Sequence, residues 1–275
     1  MTPNDKRSLF RALHQSGCFV IPNPWNVGTA RYLQGLGFKA LATTSSGFAH
    51  SLGFADGDIT RDMALAHYRE MADATELPLN ADFENGFAHD ADGVAANAAR
   101  CIETGIAGLS IEDSSGDAAQ PIYQFAHAVA RIKAARAAID AAGGTVVFTG
   151  RCENFLHGRA DLDDTLKRLK AYADAGADCL YAPGIKSREQ IVAVVDAVAP
   201  KPINFLNSGA FGFSVKDLAD MGVRRISVGG TLARVAMQAF IKSASEIVND
   251  GTFDSFAGIL PNAELNAFFH KERSR

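Results

Sequence analysis

A chain of 275 residues that is 47% apolar, with net charge −4 and no basic run, is long enough to bury one large core and carries no mark of a nucleic-acid partner. Its apolar runs fall far short of the roughly 20 residues that span a bilayer, and Met1-Thr2-Pro3-Asn4-Asp5-Lys6-Arg7 lacks an apolar signal core. Cys18, Cys101, Cys152 and Cys179 stand apart with no zinc or disulfide spacing, so they read as buried thiols of a cytoplasmic protein acting on small molecules.

In chain order, eight short apolar runs predict strands at 18–21, 40–43, 79–81, 108–111, 145–148, 179–181, 203–205 and 225–228. Between and after them, apolar residues at helical spacing predict helices at 27–35, 61–75, 93–104, 123–142, 162–175, 188–198, 215–221 and 232–248, and His14 falls in a first helical stretch. Ser187 with Gln190 and Ser214 with Asp217 are spaced as reciprocal helix caps, while Gly105, Gly143, Gly176 and Gly222 fall where helices should stop. Eight alternating units without a long linker predict one (β/α)8 TIM barrel over residues 1–250 as a catalytic domain. Residues 251–275 read as a helical extension packed on the barrel or on a neighbouring subunit.

In such a barrel the strand ends open into one shared mouth, so residues distant in sequence can meet there. Asp82 and Glu84 flank Phe83 just past the third strand, and in extended backbone both carboxylates project to the same side. Paired hard oxygen ligands suit Mg2+, with Mn2+ an alternative, although a solvated acidic loop has the same composition. Glu112 continues the inward alternation of the fourth strand and suits a metal-bound water, whereas Asp113 could equally be a helix cap. Arg151 is placed to clamp a carboxylate or phosphonate, or to form an internal salt bridge with Glu153 or a metal acid; both can hold at once. Ser45, Ser46 and Gly47 offer hydroxyls and backbone N–H groups to an anionic oxygen, or form a plain loop. Gly229-Gly230 sits where barrels often hold phosphate, or makes a tight turn. The seven histidines form no HxH or HxxxH pair, which argues against a histidine-ligated zinc site. Neither Lys39 nor Lys186 falls at a strand end, which disfavours a Schiff-base aldolase.

Taken together, Ser45-Ser46-Gly47, Leu52-Gly53-Phe54-Ala55-Asp56, Asp82-Phe83-Glu84-Asn85-Gly86-Phe87, Ile111-Glu112-Asp113 and Gly150-Arg151-Cys152-Glu153, in this order and spacing, resemble the isocitrate lyase/phosphoenolpyruvate mutase superfamily from about Leu9 to Ile247. The resemblance implies that Asp82 contacts Mg2+ most directly, with Glu84 and Glu112 holding it directly or through water. It implies that Ser46 and Gly47 bind the substrate carboxylate and C2 oxygen, that Asp56 lies near the reacting group, and that Arg151 binds substrate. It also implies a homotetramer of barrels that exchange their last helices. Asn207, in the far mouth, is a further substrate-binding candidate.

The departures narrow the chemistry. Isocitrate and methylisocitrate lyases carry a Lys-Lys/Arg-Cys-Gly-His loop after the Ile-Glu-Asp motif, whereas this chain has Ser114-Ser115-Gly116-Asp117-Ala118-Ala119-Gln120-Pro121. Both of those activities are therefore rejected. The asparagine of phosphonate-cleaving members is also missing there, and Glu84 replaces the commoner aspartate. The expected function is a Mg2+-dependent lyase that cleaves a C–C bond of a small 2-oxo or 2-hydroxy dicarboxylate through a metal-stabilised enolate, of the oxaloacetate decarboxylase or substituted-malate lyase type. Asp56, Glu112 and Arg151 are its expected catalytic residues. The alternatives are P–C chemistry on phosphonopyruvate or carboxyphosphonoenolpyruvate, as mutase or hydrolase, and a non-catalytic dicarboxylate-binding barrel.

Overall fold

The apolar runs become eight parallel strands in a computed structural model that describes residues 1–273. They are β1 (Phe19–Ile21), β2 (Leu41–Ala42), β3 (Leu79–Asp82), β4 (Gly108–Glu112), β5 (Val147–Arg151), β6 (Cys179–Tyr181), β7 (Ile203–Leu206) and β8 (Arg225–Ser227). Neighbours pair in the order β1-β8-β7-β6-β5-β4-β3-β2, and a hydrogen bond of 3.1 Å from the Ala42 N–H to the Pro22 carbonyl joins the two ends. The result is the expected (β/α)8 barrel.

The helices are α1 (Pro3–Leu13), α2 (Val27–Gly35), α3 (Ser45–Ser51), α4 (Arg61–Ala74), α5 (Ala91–Ile102), α6 (Phe125–Ala141), α7 (Leu162–Asp174), α8 (Arg188–Val198), α9 (Val215–Asp220), α10 (Thr231–Asp250) and α11 (Asn262–Arg273). Ser187/Gln190 and Ser214/Asp217 form the expected capping boxes. The four predicted stop glycines all adopt positive φ, 88° to 103°, which suits a residue without Cβ. The fifth strand begins and ends later than predicted, at Val147 and Arg151, so Arg151 is a strand residue and not a loop residue.

Helix α1 closes the bottom of the barrel. Phe10 is fully buried there with Phe19, Ile21, Ala40, Ala42, Ala107 and Val147 around it. Its ring needs Gly108, because a Cβ at that position would lie 2.5 Å from Phe10 Cε1. Above this apolar floor the interior turns polar: Asn80, Ser110, Thr149, Asn204, Arg225 and Ser227 are all buried. Barrel interiors are usually filled by bulky aliphatic layers, so the substitution of small polar groups leaves space on the axis. The apolar core lies instead between strands and helices, with Leu79, Leu109, Phe148, Leu180 and Phe205 turned toward α4 to α8.

Two elements stand apart. In α10 only Ala233 is buried, while Val235, Met237, Phe240 and Ile241 are exposed. The tail folds back on its own barrel, where Phe268 of α11 stacks 4.3 Å from Tyr32 of α2. No described helix is long and apolar enough to cross a membrane.

Candidate active site

The mouth is organised by Arg151, the last residue of β5. Its Nη1 lies 3.1 Å from Asp82 Oδ1 and 3.1 Å from Glu112 Oε2, its Nε donates to Glu153, and its guanidinium stands 5.2 Å from the centre of the Tyr181 ring. Both internal salt bridges weighed from sequence are therefore present together. Burial works against its charge, but Glu112, Glu153, Tyr181 and Asp82 outweigh that and hold the group cationic.

Asp82 ends β3 and is fixed on every side. Its N–H donates to Thr43 Oγ1 at 2.9 Å, its carbonyl accepts from Tyr68 at 2.5 Å, and Oδ2 accepts from the Ser45 N–H at 3.1 Å and Ser45 Oγ at 3.0 Å. Glu112 ends β4, and its N–H donates to the Glu84 carbonyl at 2.9 Å. Burial pushes the Glu112 carboxyl up, and Glu153, Asp82 and Glu84 add to this against the pull of Arg151. One guanidinium cannot neutralise four carboxylates.

Glu84 reaches the mouth through a turn and not by strand alternation. Alternation from Asp82 assumed extended backbone, but Glu84 sits at φ 46°, in the left-handed region, and the Gly86 N–H turns back to the Phe83 carbonyl at 2.8 Å. This conformation is uncommon for a residue with a side chain and costs of order 1 kcal/mol. Burial, and then the charges of Asp82 and Asp56, push the Glu84 carboxyl up to about 8.

The residues between 44 and 51 are a helix rather than a loop. Thr44 caps α3 by accepting the Gly47 N–H at 3.3 Å, and Asp82 takes the Ser45 N–H. Of the expected anion donors, Gly47 therefore spends its amide on the cap and packs against Trp25 and Ala233, away from the two mouth cavities. Ser46 does face the mouth; its Oγ lies 3.2 Å from Thr44 Oγ1 and fills the space a Gly230 Cβ would occupy.

Two cavities meet across Ser45, Asp56, Arg151 and Leu156. One, about 200 Å³, runs down the barrel axis past Asp82, Asn80 and Asn204; the other, about 510 Å³, opens outward past Glu84, Glu112, Glu153 and His157. Asp56 is exposed on the loop after α3 and borders both. Asn207 borders neither: Leu206 and Asn204 face the axis, and one-residue parity turns Asn207 away, with its buried Oδ1 unpartnered. Asp113 is not a helix cap either. It is buried behind the strands, accepting from Tyr172 at 2.6 Å, from Arg168 at 3.3 Å and from the Glu153 N–H at 2.8 Å. Tyr181, Leu156 and Asn204 border the site without having been singled out; inward parity from the strand ends was the signal available for Tyr181 and Asn204.

Among the described residues no three His, Cys, Asp or Glu side chains are already gathered as a metal cluster. The donor set still fits a hydrated hard cation, because Mg2+ keeps several waters and needs only one or two carboxylates. Asp82 and Glu112 meet on Arg151, Glu84 borders the same outer cavity, and the crowding that pushes the Glu84 and Glu112 carboxyls up is what a divalent cation would relieve.

Eight parallel strands with carboxylates and one guanidinium gathered at their C-terminal ends define a (β/α)8 barrel with a polar mouth of the kind in which barrel enzymes place their sites. The chain belongs to the phosphoenolpyruvate phosphomutase family, whose model matches residues 10–248. It is 47% identical, with TM-score 0.94, to a solved structure from Burkholderia cenocepacia J2315 provisionally named a lyase/mutase, covering 98% of this chain and 97% of that one. It is 29% identical over 279 residues to an oxaloacetate decarboxylase of Rhodopseudomonas palustris, covering 96% of this chain and 92% of the relative. A phosphonopyruvate hydrolase solved with oxalate and Mg2+ shares the fold, at TM-score 0.85 and 24% identity over 100% of this chain and 97% of that one.

Proposed function

We propose that this protein is a Mg2+-dependent lyase that breaks a C–C bond in a small 2-oxo or 2-hydroxy dicarboxylate, with oxaloacetate decarboxylation or cleavage of a substituted malate as its reaction. The observation that carries the reading is the meeting of Asp82 and Glu112 on Arg151, with Glu84 bordering the outer cavity, above a polar cavity on the barrel axis. The oxaloacetate decarboxylase relative supports the choice of substrate class.

Asp82 would hold the ion directly, with Glu84 and Glu112 holding it through water; Mn2+ would serve in its place. A divalent ion there supplies a Lewis acid for the charge that develops on the C2 oxygen. Arg151 has Nη1 and Nε engaged with acids, which leaves Nη2 to bind a substrate carboxylate. Ser45 and Ser46 orient the other end of the substrate. As the C3–C4 bond breaks, its electron pair passes toward the C2 carbonyl, carbon dioxide leaves, and C3 takes up a proton. Asp56 would supply or relay that proton, and its position at the rim of both cavities supports this role.

The loop after β4 supports this selection. Ser114 bridges to Ile122, and Ser115 Oγ donates to the Gln120 carbonyl at 2.5 Å, so the segment closes on itself and brings no cysteine, lysine or histidine to the mouth. The four unpaired cysteines fit a cytoplasmic location. The exposed apolar side of α10 fits exchange of that helix between the subunits of a tetramer.

Pyruvate release from oxaloacetate, substituted malates and phosphonopyruvate, with and without EDTA, tests the reading. Turnover of a dicarboxylate that stops on chelation and returns with Mg2+ is expected. Turnover indifferent to EDTA overturns the metal mechanism, and phosphonopyruvate as the preferred substrate overturns the C–C assignment.

A further inference from the structure

The cavity on the barrel axis ends on a cation that no acid balances. Arg225 is 3% exposed, and its donors go to Asn204 Oδ1 at 2.8 Å, Thr149 Oγ1 at 3.0 Å and His14 Nε2 at 3.3 Å. All three partners are neutral: burial, and then Arg225 itself, hold His14 down at about 3. No carboxylate pairs with Arg225 among the described residues, in contrast to Arg151 and Arg168, each of which meets at least two. A buried unpaired charge is costly, and proteins ordinarily answer it with a counter-charge.

The space beside it is shaped to receive one. Arg225, Asn204, Ser227, Asn80 and Tyr181 border the cavity of about 200 Å³, roughly the size of several waters or of one small acid. Ser227 Oγ accepts from Asn204 Nδ2 at 2.8 Å, which frees its own proton to donate.

We propose that the barrel interior is a binding site for a small anion, halide or carboxylate, held on Arg225 and the neutral donors around it, beneath the metal acids. Two sources share this chemistry: a free inorganic anion, and the far carboxylate of a dicarboxylate substrate reaching down the axis. The second source rests on the function proposed above; the site itself does not.

The test reads binding without turnover. Thermal unfolding of the full-length protein is followed while sodium bromide or sodium formate replaces sodium HEPES at constant ionic strength. The expected result is a saturable rise of a few degrees in wild type, retained in part by Arg225→Lys and lost in Arg225→Gln. Should Arg225→Gln not fold, bromide-soaked wild-type crystals are expected to show an anomalous peak within hydrogen-bond distance of the Arg225 guanidinium. No saturable rise overturns the proposal, even with such a peak, which would then be binding at soak concentration only. The source is read from kinetics: bromide that raises KM for a 2-oxo dicarboxylate without changing kcat assigns the site to substrate, and bromide that leaves KM unchanged while the melting rise persists assigns it to a free anion. If no substrate turns over, the function fails while the melting and crystallographic results still decide the site.

Discussion

Asp82 carries more of the proposed chemistry than any other residue, and its surroundings say how its loss should appear. Arg151 and Ser45 hold its two oxygens, while Glu112 and Glu153 also hold Arg151, so removing the Asp82 carboxylate leaves the guanidinium paired. Asp82→Ala is therefore expected to keep its far-UV circular dichroism and lose Mn2+ binding by calorimetry, with turnover down by at least about 100-fold. Turnover within a few-fold of wild type would refute the ligand assignment. Tyr68→Phe removes the hydroxyl that donates to the Asp82 carbonyl at 2.5 Å, and should cost about 1–2 kcal/mol in urea unfolding. An unchanged midpoint would mean that this bond adds nothing to the fold. Asp82, Glu112 and Arg151 were legible in sequence because each ends an apolar run at a parity that local alternation sets. Asn207 and Gly47 lie outside the two mouth cavities for a related reason: one residue of register, or one capping bond, turns a group from the mouth, and neither is visible in composition.

At the scale of elements, α3 and α10 diverge most from what their sequences suggested. Ser45-Ser46-Gly47 is poor helix material, yet α3 forms because Thr44 caps it and Asp82, 37 residues away, accepts its first N–H. A tertiary partner decides that helix. In α10 the periodic apolar pattern was legible, but the side facing the barrel buries only Ala233, and Val235, Phe240 and Ile241 stay 54% to 67% exposed. A surface this apolar on one long helix fits an interface between subunits. Phe240→Asp with Ile241→Asp is expected to lower the mass seen in sedimentation equilibrium while each subunit remains folded. A wild-type protein that sediments as a monomer at all concentrations would remove the helix-exchange reading.

For the whole molecule, buried His67 and half-buried His14 tie stability to pH. Burial holds His67 down at about 4, with its ring stacked 3.8 Å from Phe48 and its Nε2 unpartnered; burial and Arg225 hold His14 down at about 3. Because both folded values lie below the ordinary 6.5, the unfolded chain binds more protons between 6.5 and about 4. Their contribution is complete above pH 6.5 and is lost as pH falls through that window, by up to about 1.4 kcal/mol per pH unit for each histidine. Glu84, pushed up to about 8, and Glu112, also pushed up, act in the opposite sense over this range, so the histidine contribution is read as a difference: between pH 7.5 and 4.5 the urea midpoint of His67→Phe, which keeps the stack, should fall less than that of wild type as pH is lowered. An identical slope in the variant would exclude His67 as a contributor. By itself the sequence determined the barrel, the order of its elements and the acids and arginine at its strand ends, because hydrophobic period, caps and strand parity are local properties of a chain. Only the tertiary structure decided that Arg151 is shared by three acids, that Glu84 arrives through a left-handed turn, and that Arg225 stands without an acid in a polar shaft. Those depend on which side chains meet through space across a closed barrel, and residues as far apart as His14, Thr149 and Arg225 carry no sign of one another in sequence.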